Sequence, residues 1–469
     1  MSKSQKGSIT LFALLSMILV ASCILTLLEA SRGLELQRLA AYRTRLATEA
    51  AFSNYNVCLW ENYHLLGCNL EQVQHLTEVS ANGGYEETAL GTNLLLLRAK
   101  EVEIEEYTLL TDGDGTQYIM ALSTYMKQNI MYETVKAIYD QYMSMKELLE
   151  NHPMGGNEID DALECLEDLK NEAKGGTWEN PLETVKRLQK TQLLELVVPD
   201  TTNLSDAEYD LSKVVSYREL NRGTKDEVRE VNWSDRILMQ QYLLTYFADY
   251  TNPQKNRGMN YELEYLLAGK ASDIENLREV VNQLLLLREA ANLAYLYSDV
   301  QKLEVAQGLA LALAGFTANG WIIEAVKLGL IAAWAFGESV LDVRALLQGK
   351  KIPLIKSKDT WTLDIRNLGD VGQDYLVAKE SDMGIPYKTY LGALLLLQKD
   401  KTLAYRAMDV QEMTMQKAVG SLRLDQLVIW NKVKIGYQYA PIFPVLSPDI
   451  RQNTGDSKIT IEECYGYYD

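Results

Sequence analysis

Residues 9–28 read ITLFALLSMILVASCILTLL, twenty positions from Ile9 to Leu28 without a charge or a proline. At 1.5 Å per residue the run spans about 30 Å, the thickness of the bilayer hydrocarbon. In lipid every backbone N–H and C=O must find its partner inside the segment, so helix is the only local solution. This reading divides the chain into a cytoplasmic tail (1–8), a transmembrane helix (9–28) and all that follows. Lys3 and Lys6 precede the run while Arg32, Arg38, Arg43 and Arg45 come after it, so counting cations alone sets no orientation. A short basic tail ahead of a long acidic chain favours the N-terminus inside and the body outside. The expected localisation is therefore the cell membrane, single-pass, with the bilayer a partner through residues 9–28.

Two other fates of this segment are weighed. No small-residue cleavage site closes the run, which disfavours a cleaved secretory signal. Val20-Ala21-Ser22-Cys23 has the residue types for lipid attachment at Cys23, yet Ile24-Leu25-Thr26-Leu27-Leu28 follows where a mature lipoprotein begins a polar tether. An uncleaved anchor is the simpler outcome.

Working outward, Leu39, Tyr42, Leu46 and Ala50 recur at helical spacing and predict a stalk helix over 29–66 that stops near Gly67. An α-rich body, 67–469, follows, with a possible subdivision near 150–176. There His152-Pro153-Met154-Gly155-Gly156 and Gly175-Gly176 bracket a short acidic helix, 158–173. Alternation of Val102, Ile104 and Tyr107 predicts a strand over 101–110. Val433, Ile435, Tyr437 and Tyr439, alternating with Lys432, Lys434, Gly436 and Gln438, predict another within 427–443. Between them the periodicity is helical, over 116–149 and through 233–300.

The apolar run from Val305 to Leu347 is split by Gly315 and Asn319-Gly320, and it carries Glu324, Lys327, Glu338 and Asp342. A centred charge in lipid costs about 3 kcal/mol, so the run reads as a helical hairpin buried in the body. A membrane-inserted hairpin serving an assembly platform is the alternative. The fold class is α+β, predominantly α.

Charge and composition remove several functions. The chain has 46 Lys+Arg against 64 Asp+Glu, a net −18. Residues 1–45 hold six cations and two carboxylates, a local +4, which leaves −22 for the remainder. Nucleic acid needs clustered Lys and Arg and is not an expected partner. With three His, a His-based catalytic centre is disfavoured. Cys58, His64, Cys68 and His75 lie close in sequence but match no zinc spacing, so no metal is assigned. A Cys58–Cys68 disulfide is possible only if Gly67 breaks the helix, because ten helical residues span about 15 Å.

Asp112-Gly113-Asp114-Gly115 reads as a turn: an EF-hand needs Gly and Glu where Gln117 and Ser123 stand. Gly269-Lys270-Ala271-Ser272 imitates the end of a phosphate loop, but Glu264 occupies the earlier glycine position. No cofactor or small-molecule ligand is expected. Glu262, Glu264, Asp273, Arg288, Glu289 and Asn292 form a dense polar set on amphipathic helices, suited to ion pairs or, alternatively, to acid/base work by paired carboxylates. The 28 Tyr against six Phe suit a contact-making surface or a core in equal measure.

The N-terminal region resembles a known class. Lys6-Gly7-Ser8 before the apolar run resembles a prepilin peptidase site, making Gly7 and Ser8 a processing junction. Glu29-Ala30-Ser31-Arg32 is similar to the exit of TadE/TadG-like minor pseudopilins of tight-adherence (Tad) pili. Such segments carry Glu five residues after the Gly, where this chain has Phe12.

Further motifs run in order along the chain: Thr111-Asp112, Asn180-Pro181-Leu182-Glu183, Tyr261-Glu262-Leu263-Glu264-Tyr265, Gly269-Lys270, Ser272-Asp273, Asn276-Leu277, Arg288-Glu289, Leu341 to Leu347, Gly349 to Lys356, and Arg406-Ala407-Met408-Asp409. With the N-terminal motifs they resemble an uncharacterised family of N-terminally anchored proteins of Gram-positive gut bacteria, found with Tad-type pilus genes. The resemblance implies a non-enzymatic envelope protein, pseudopilin-like or accessory to a Tad-type assembly, with other pilus or envelope proteins as partners. An anchored envelope hydrolase using Glu262 and Glu264 is the alternative. The family's polar residues in this chain, of no assigned role, are Glu262, Glu264, Asp273, Asn276, Arg288, Asp342, Arg344, Lys356 and Asp409.

Overall fold

The computed structural model describes residues 3–82, 97–129, 132–151, 158–172, 181–191, 193–198, 204–225, 230–373, 375–418, 420, 422–439 and 457–468. The chain is predominantly α with a smaller β part and divides into two units. The first comprises Met1–Ala121, Leu220–Arg229 and Arg423–Asp469; the second, Leu122–Glu219 and Glu230–Leu422. The expected subdivision near 150–176 is thus displaced to Ala121/Leu122, and the chain returns twice to the first unit. The glycine-rich brackets at 152–156 and 175–176 lie outside the described residues.

In the first unit, α1 (Lys3–Ser53) is one helix of 51 residues. It is exposed throughout Ile9 to Ala21, and Phe12 is 73% accessible. From Leu36 it buries Ala40, Arg43, Thr44, Ala47, Thr48, Ala51 and Phe52, a single face at helical spacing. Of the apolar stripe read from sequence only Leu39 packs against the core that this face joins: Tyr42 is 61% and Leu46 44% exposed, and Ala50 is exposed too. Small side chains win the buried face because they let the helix lie close on a sheet. The predicted 29–66 stalk also ends early. Asn56 caps a separate helix, α2 (Val57–Tyr63), by accepting the Leu59 N–H at 2.9 Å, and His64 closes it at φ 52°.

The sheet beneath α1 is built from β1 (Cys68–Asn69), β2 (Arg98–Leu109), β3 (Leu427–Tyr439) and β4 (Ser457–Gly466). β3 pairs antiparallel with the other three. The register sets Val102 opposite Ile435 and Ile104 opposite Val433 on one edge, and Ile461 opposite Ile435 on the other. Val433, Ile435 and Tyr437 meet Leu36, Ala40 and Ala47 of α1 and Ala81 of α3 (Leu70–Ala81). Thr44 Oγ1 lies 3.1 Å from the Tyr437 hydroxyl. On the strands' other positions, Lys432 bridges Glu105 and Glu462, each at 3.0 Å. Period-2 patterning thus gives both strands expected from sequence: Arg98–Leu109 for the expected 101–110, and Leu427–Tyr439 within 427–443, whose last four residues lie outside the described ones.

After β2 the chain turns through Gly113, Asp114 and Gly115, all at positive φ. The Asp112 carboxylate accepts the Leu109 N–H at 2.7 Å and the Gly223 N–H at 3.1 Å. A Cβ on Gly223 would stand 2.4 Å from that carboxylate, so the close approach requires glycine. The DGDG stretch is a pinned turn.

The expected helix over 116–149 is two, α4 (Thr116–Lys127) and α5 (Tyr132–Asn151). The second unit continues with α6 (Glu158–Glu172), α7 (Pro181–Lys190), α8 (Leu193–Val197), α9 (Trp233–Tyr246), α10 (Glu262–Ala268), α11 (Asp273–Ser298), α12 (Val300–Ala314), α13 (Gly320–Leu347), α14 (Tyr387–Leu396) and α15 (Asp400–Ala418). Its axis is α13, buried at Val326 and at every position from Gly329 to Leu347, with α6, α11 and α12 packed against it. Gly329 admits α6: a Cβ there would meet Ala162 Cβ at 2.4 Å. The apolar run 305–347 is therefore a helical hairpin whose second arm is protein core.

Candidate functional site

All nine polar positions singled out in the sequence are buried; Lys356, at 3%, is the most accessible of them. Eight of them fall into four groups within the second unit, with Arg344 apart. The central group is ionic. Arg288 of α11 donates to Asp342 Oδ2 through Nε at 3.1 Å and Nη2 at 2.9 Å. Lys356, from the segment after α13, reaches Asp342 Oδ1 at 2.7 Å and Glu338 Oε1 at 2.6 Å. Two cations thus face two carboxylates with no net charge. The i, i+4 spacing of Glu338 and Asp342 puts both on one face of α13.

Neutral partners close the network. Asn292 Nδ2 donates to Asp342 and to Ser339. Arg288 Nη1 donates to the Tyr390 hydroxyl and to the carbonyls of Pro353 and Leu354. Glu338 accepts the Thr362 and Leu363 N–H groups. Burial pushes the Asp342 carboxyl up, but Arg288 and Lys356 outweigh it and hold the group below its ordinary value. Burial, and then the charge of Asp342, lift Glu338 above its own.

The second group joins a loop to α10. Glu262 accepts the Ala248 N–H at 2.7 Å; Glu264 accepts the Tyr250 N–H at 2.9 Å and the Tyr387 hydroxyl at 2.7 Å. Burial pushes each carboxyl up to about 7. Neither side chain has accessible surface, so this pair presents no carboxylate to a substrate in solution. Asp273, in the third group, collects Ser205 Oγ, Tyr209 OH and Asn260 Nδ2 between 2.6 and 2.9 Å. Asn276 accepts the Lys270 N–H and donates to the Lys270 carbonyl. The phosphate-loop-like tetrapeptide is thereby a helix-to-helix turn, entered through Gly269 at φ 67°. In the fourth group, Asp409 accepts the Ser216 N–H and hydroxyl and the Tyr265 hydroxyl, and burial raises its carboxyl. Arg344 stands apart, its guanidinium donating to the carbonyls of Leu196, Val371, Gln373 and Leu376.

The remaining candidates are dispersed in the first unit. Gly7 and Ser8 lie in the first turns of α1 and Cys23 is exposed further along it. The Cys58–Cys68 bridge is not formed, and both thiols are free. Cys68 Sγ sits 2.9 Å from the Tyr467 hydroxyl, and burial raises its thiol. Among the described residues, no group of three or more His, Cys, Asp or Glu is placed to hold a metal ion. A cleft of about 480 Å³ lies between α5, α9 and α14, walled by Tyr139, Tyr142, Trp233 and Leu394. Its guanidinium, Arg236, is bound to Asp400 at 2.7 Å and to the Leu396 carbonyl.

Glu338 and Asn292 complete the ionic core, and their helical spacing from Asp342 and Arg288 was the available signal. Tyr387 and Tyr390 gave none, and Tyr265 entered only as the last residue of the 261–265 motif. Each is a core side chain whose hydroxyl meets a buried charge, which places part of the tyrosine excess inside the protein.

These groups make the second unit a helical body pinned by buried polar side chains, most of them bound to loop backbone. The chain belongs to a family of unknown function, DUF5702, whose model matches residues 171–439, more than half of the chain. The match takes in all four groups but not α1. Comparison with curated proteins and with solved structures finds no match in either.

Proposed function

We propose that this is a non-enzymatic, membrane-anchored envelope protein, a pseudopilin-like or accessory component of a Tad-type pilus assembly. Residues 9–28 lie in the bilayer, the N-terminus is cytoplasmic, and everything after residue 28 is outside. The observation that carries the reading is the two-part character of α1. Its first part, from Ile9 to Ala21, is an apolar rod exposed throughout, and from Leu36 it is laid on an antiparallel sheet by mostly small side chains. Pilins share that layout, in which one helix serves first as anchor and then as spine of the folded part. The Gly7-Ser8 junction and the Glu29–Arg32 pair, at 2.5 Å, support it further.

Intact-mass and N-terminal peptide analysis of the native membrane-fraction protein tests the pilus reading. A chain starting at Ser8 supports prepilin-type processing, a lipidated Cys23 start makes it a lipoprotein, and an unprocessed start leaves a permanent anchor outside any fibre. Protease protection tests topology: a body shielded in right-side-out vesicles and cut in inverted ones would overturn the proposal.

A further inference from the structure

From Val305 to Ile323 the chain carries no charged residue, and in the structure this stretch forms the turn of the α12–α13 hairpin with the adjoining ends of both helices. α12 buries only Ala306, Ala310 and Ala314, one narrow stripe of small side chains. Leu303, Leu309 and Leu313 are half-buried, while Val305 is 45% and Leu311 49% exposed. At the tip Phe316 is 66% and Trp321 71% exposed. A water-facing helix carries polar groups on that side, so an apolar phase is the surface this end is built for.

We infer that the hairpin tip, residues 309–323, inserts into the interfacial layer of the bilayer as a second, shallow membrane contact. The inference rests on the reading of α1 as the anchor, which holds the whole chain beside a membrane. Three observations favour lipid over a second copy of the chain. The largest exposed side chains are aromatic and gathered at the turn, where an interfacial Phe and Trp sit at headgroup level. The contact has a built-in stop. Glu324 is exposed and paired with Lys327 at 3.2 Å, and Lys327 lies six residues beyond Trp321, about 9 Å along the helix. That matches the roughly 5–10 Å reached by an interfacial helix and falls far short of a span. Finally, Gly329 to Leu347 are committed to the protein core, so the second arm cannot follow the tip inward. With a net charge of −18 the contact depends on apolar insertion, and zwitterionic lipid suffices.

The test uses the full chain in phosphatidylcholine vesicles containing a lipid with a photoactivatable, carbene-forming acyl chain, followed by peptide mapping of the cross-links. Labelling is expected in α1 and in peptides covering 309–323. Replacing Phe316→Ser and Trp321→Ser together should reduce tip labelling to background while α1 labelling and the melting temperature stay unchanged. If α1 is labelled but the tip is labelled no more than the exposed Tyr375 and Met383, the inference is wrong and the anchor stands. If neither is labelled, the anchor reading fails and takes the inference with it. Cross-links between copies through 316–321 in place of lipid would also overturn it, in favour of a dimer contact.

Discussion

Asp342 receives Arg288 on one carboxylate oxygen and, on the other, Lys356, which it shares with Glu338, so its removal leaves two buried cations facing one carboxylate. Asp342→Ala should destabilise the second unit by about 3–5 kcal/mol, because the cost lies in the uncompensated charges left behind. Chemical denaturation followed by near-UV circular dichroism measures it; a loss under about 1 kcal/mol would mean that water enters and screens the pair.

Glu264 behaves differently. Its folded value of about 7 stands above the ordinary 4.5, so the folded state retains a proton that the unfolded chain releases. Stability from this group is therefore full below about pH 4.5 and lost as pH rises to about 7. Glu264→Gln keeps an acceptor for Tyr250 and Tyr387 and removes the titration. The variant should gain about 1–3 kcal/mol relative to the parent between pH 4.5 and pH 8, and an equal difference at both ends would refute the assignment. Glu262 and Glu289, also raised to about 7 by burial, add slope of the same sign.

At the scale of elements, the two arms of the structure were unequally visible in the sequence. Strand alternation at 433–439 was legible because one face of β3 is buried and the other carries Lys432 and Lys434. The Gly320–Leu347 helix was legible because its charges are too many for lipid and correctly spaced for one face. The buried face of α1 was not legible: the apolar stripe holds Tyr42 and Leu46, which are exposed, whereas close packing on the sheet selects Ala40, Thr44, Ala47 and Thr48. No pattern in one segment reveals that a partner surface approaches so near. Nor could local sequence show which loop backbone each buried carboxylate would bind, since Asp409 and Ser216 are 193 residues apart. The α1 face gives a direct contrast. Ala47→Leu should overpack the sheet and cost about 1–3 kcal/mol, while Leu46→Ser, one position away and exposed, should stay within about 0.5 kcal/mol. Amide exchange over β2 and β3 reads both; the reverse order would restore the face expected from periodicity.

On the scale of the whole molecule, the first unit is assembled from Met1–Ala121 and Arg423–Asp469 with the short internal segment Leu220–Arg229. β3 and β4 supply the sheet on which α1 rests, and the residues at the end of β4 lock the place where α1 gives way to α2. Phe52 lies 5.0 Å from the ring of Tyr465 and 5.1 Å from that of Tyr467. The Tyr467 hydroxyl donates to the Phe52 carbonyl, and the Tyr468 hydroxyl accepts the Leu66 N–H at 2.7 Å and donates to the Leu66 carbonyl. Removing residues 457–469 strips β3 of ten paired positions and uncovers Phe52 and Cys68. The second unit draws none of its chain from that segment. Hydrogen exchange on the truncated protein should therefore show protection lost over 51–69 and 427–439, with α11 and α13 still protected. Loss of protection in α13 as well would mean that the two units unfold as one, and the division drawn at Ala121/Leu122 would then have no energetic counterpart.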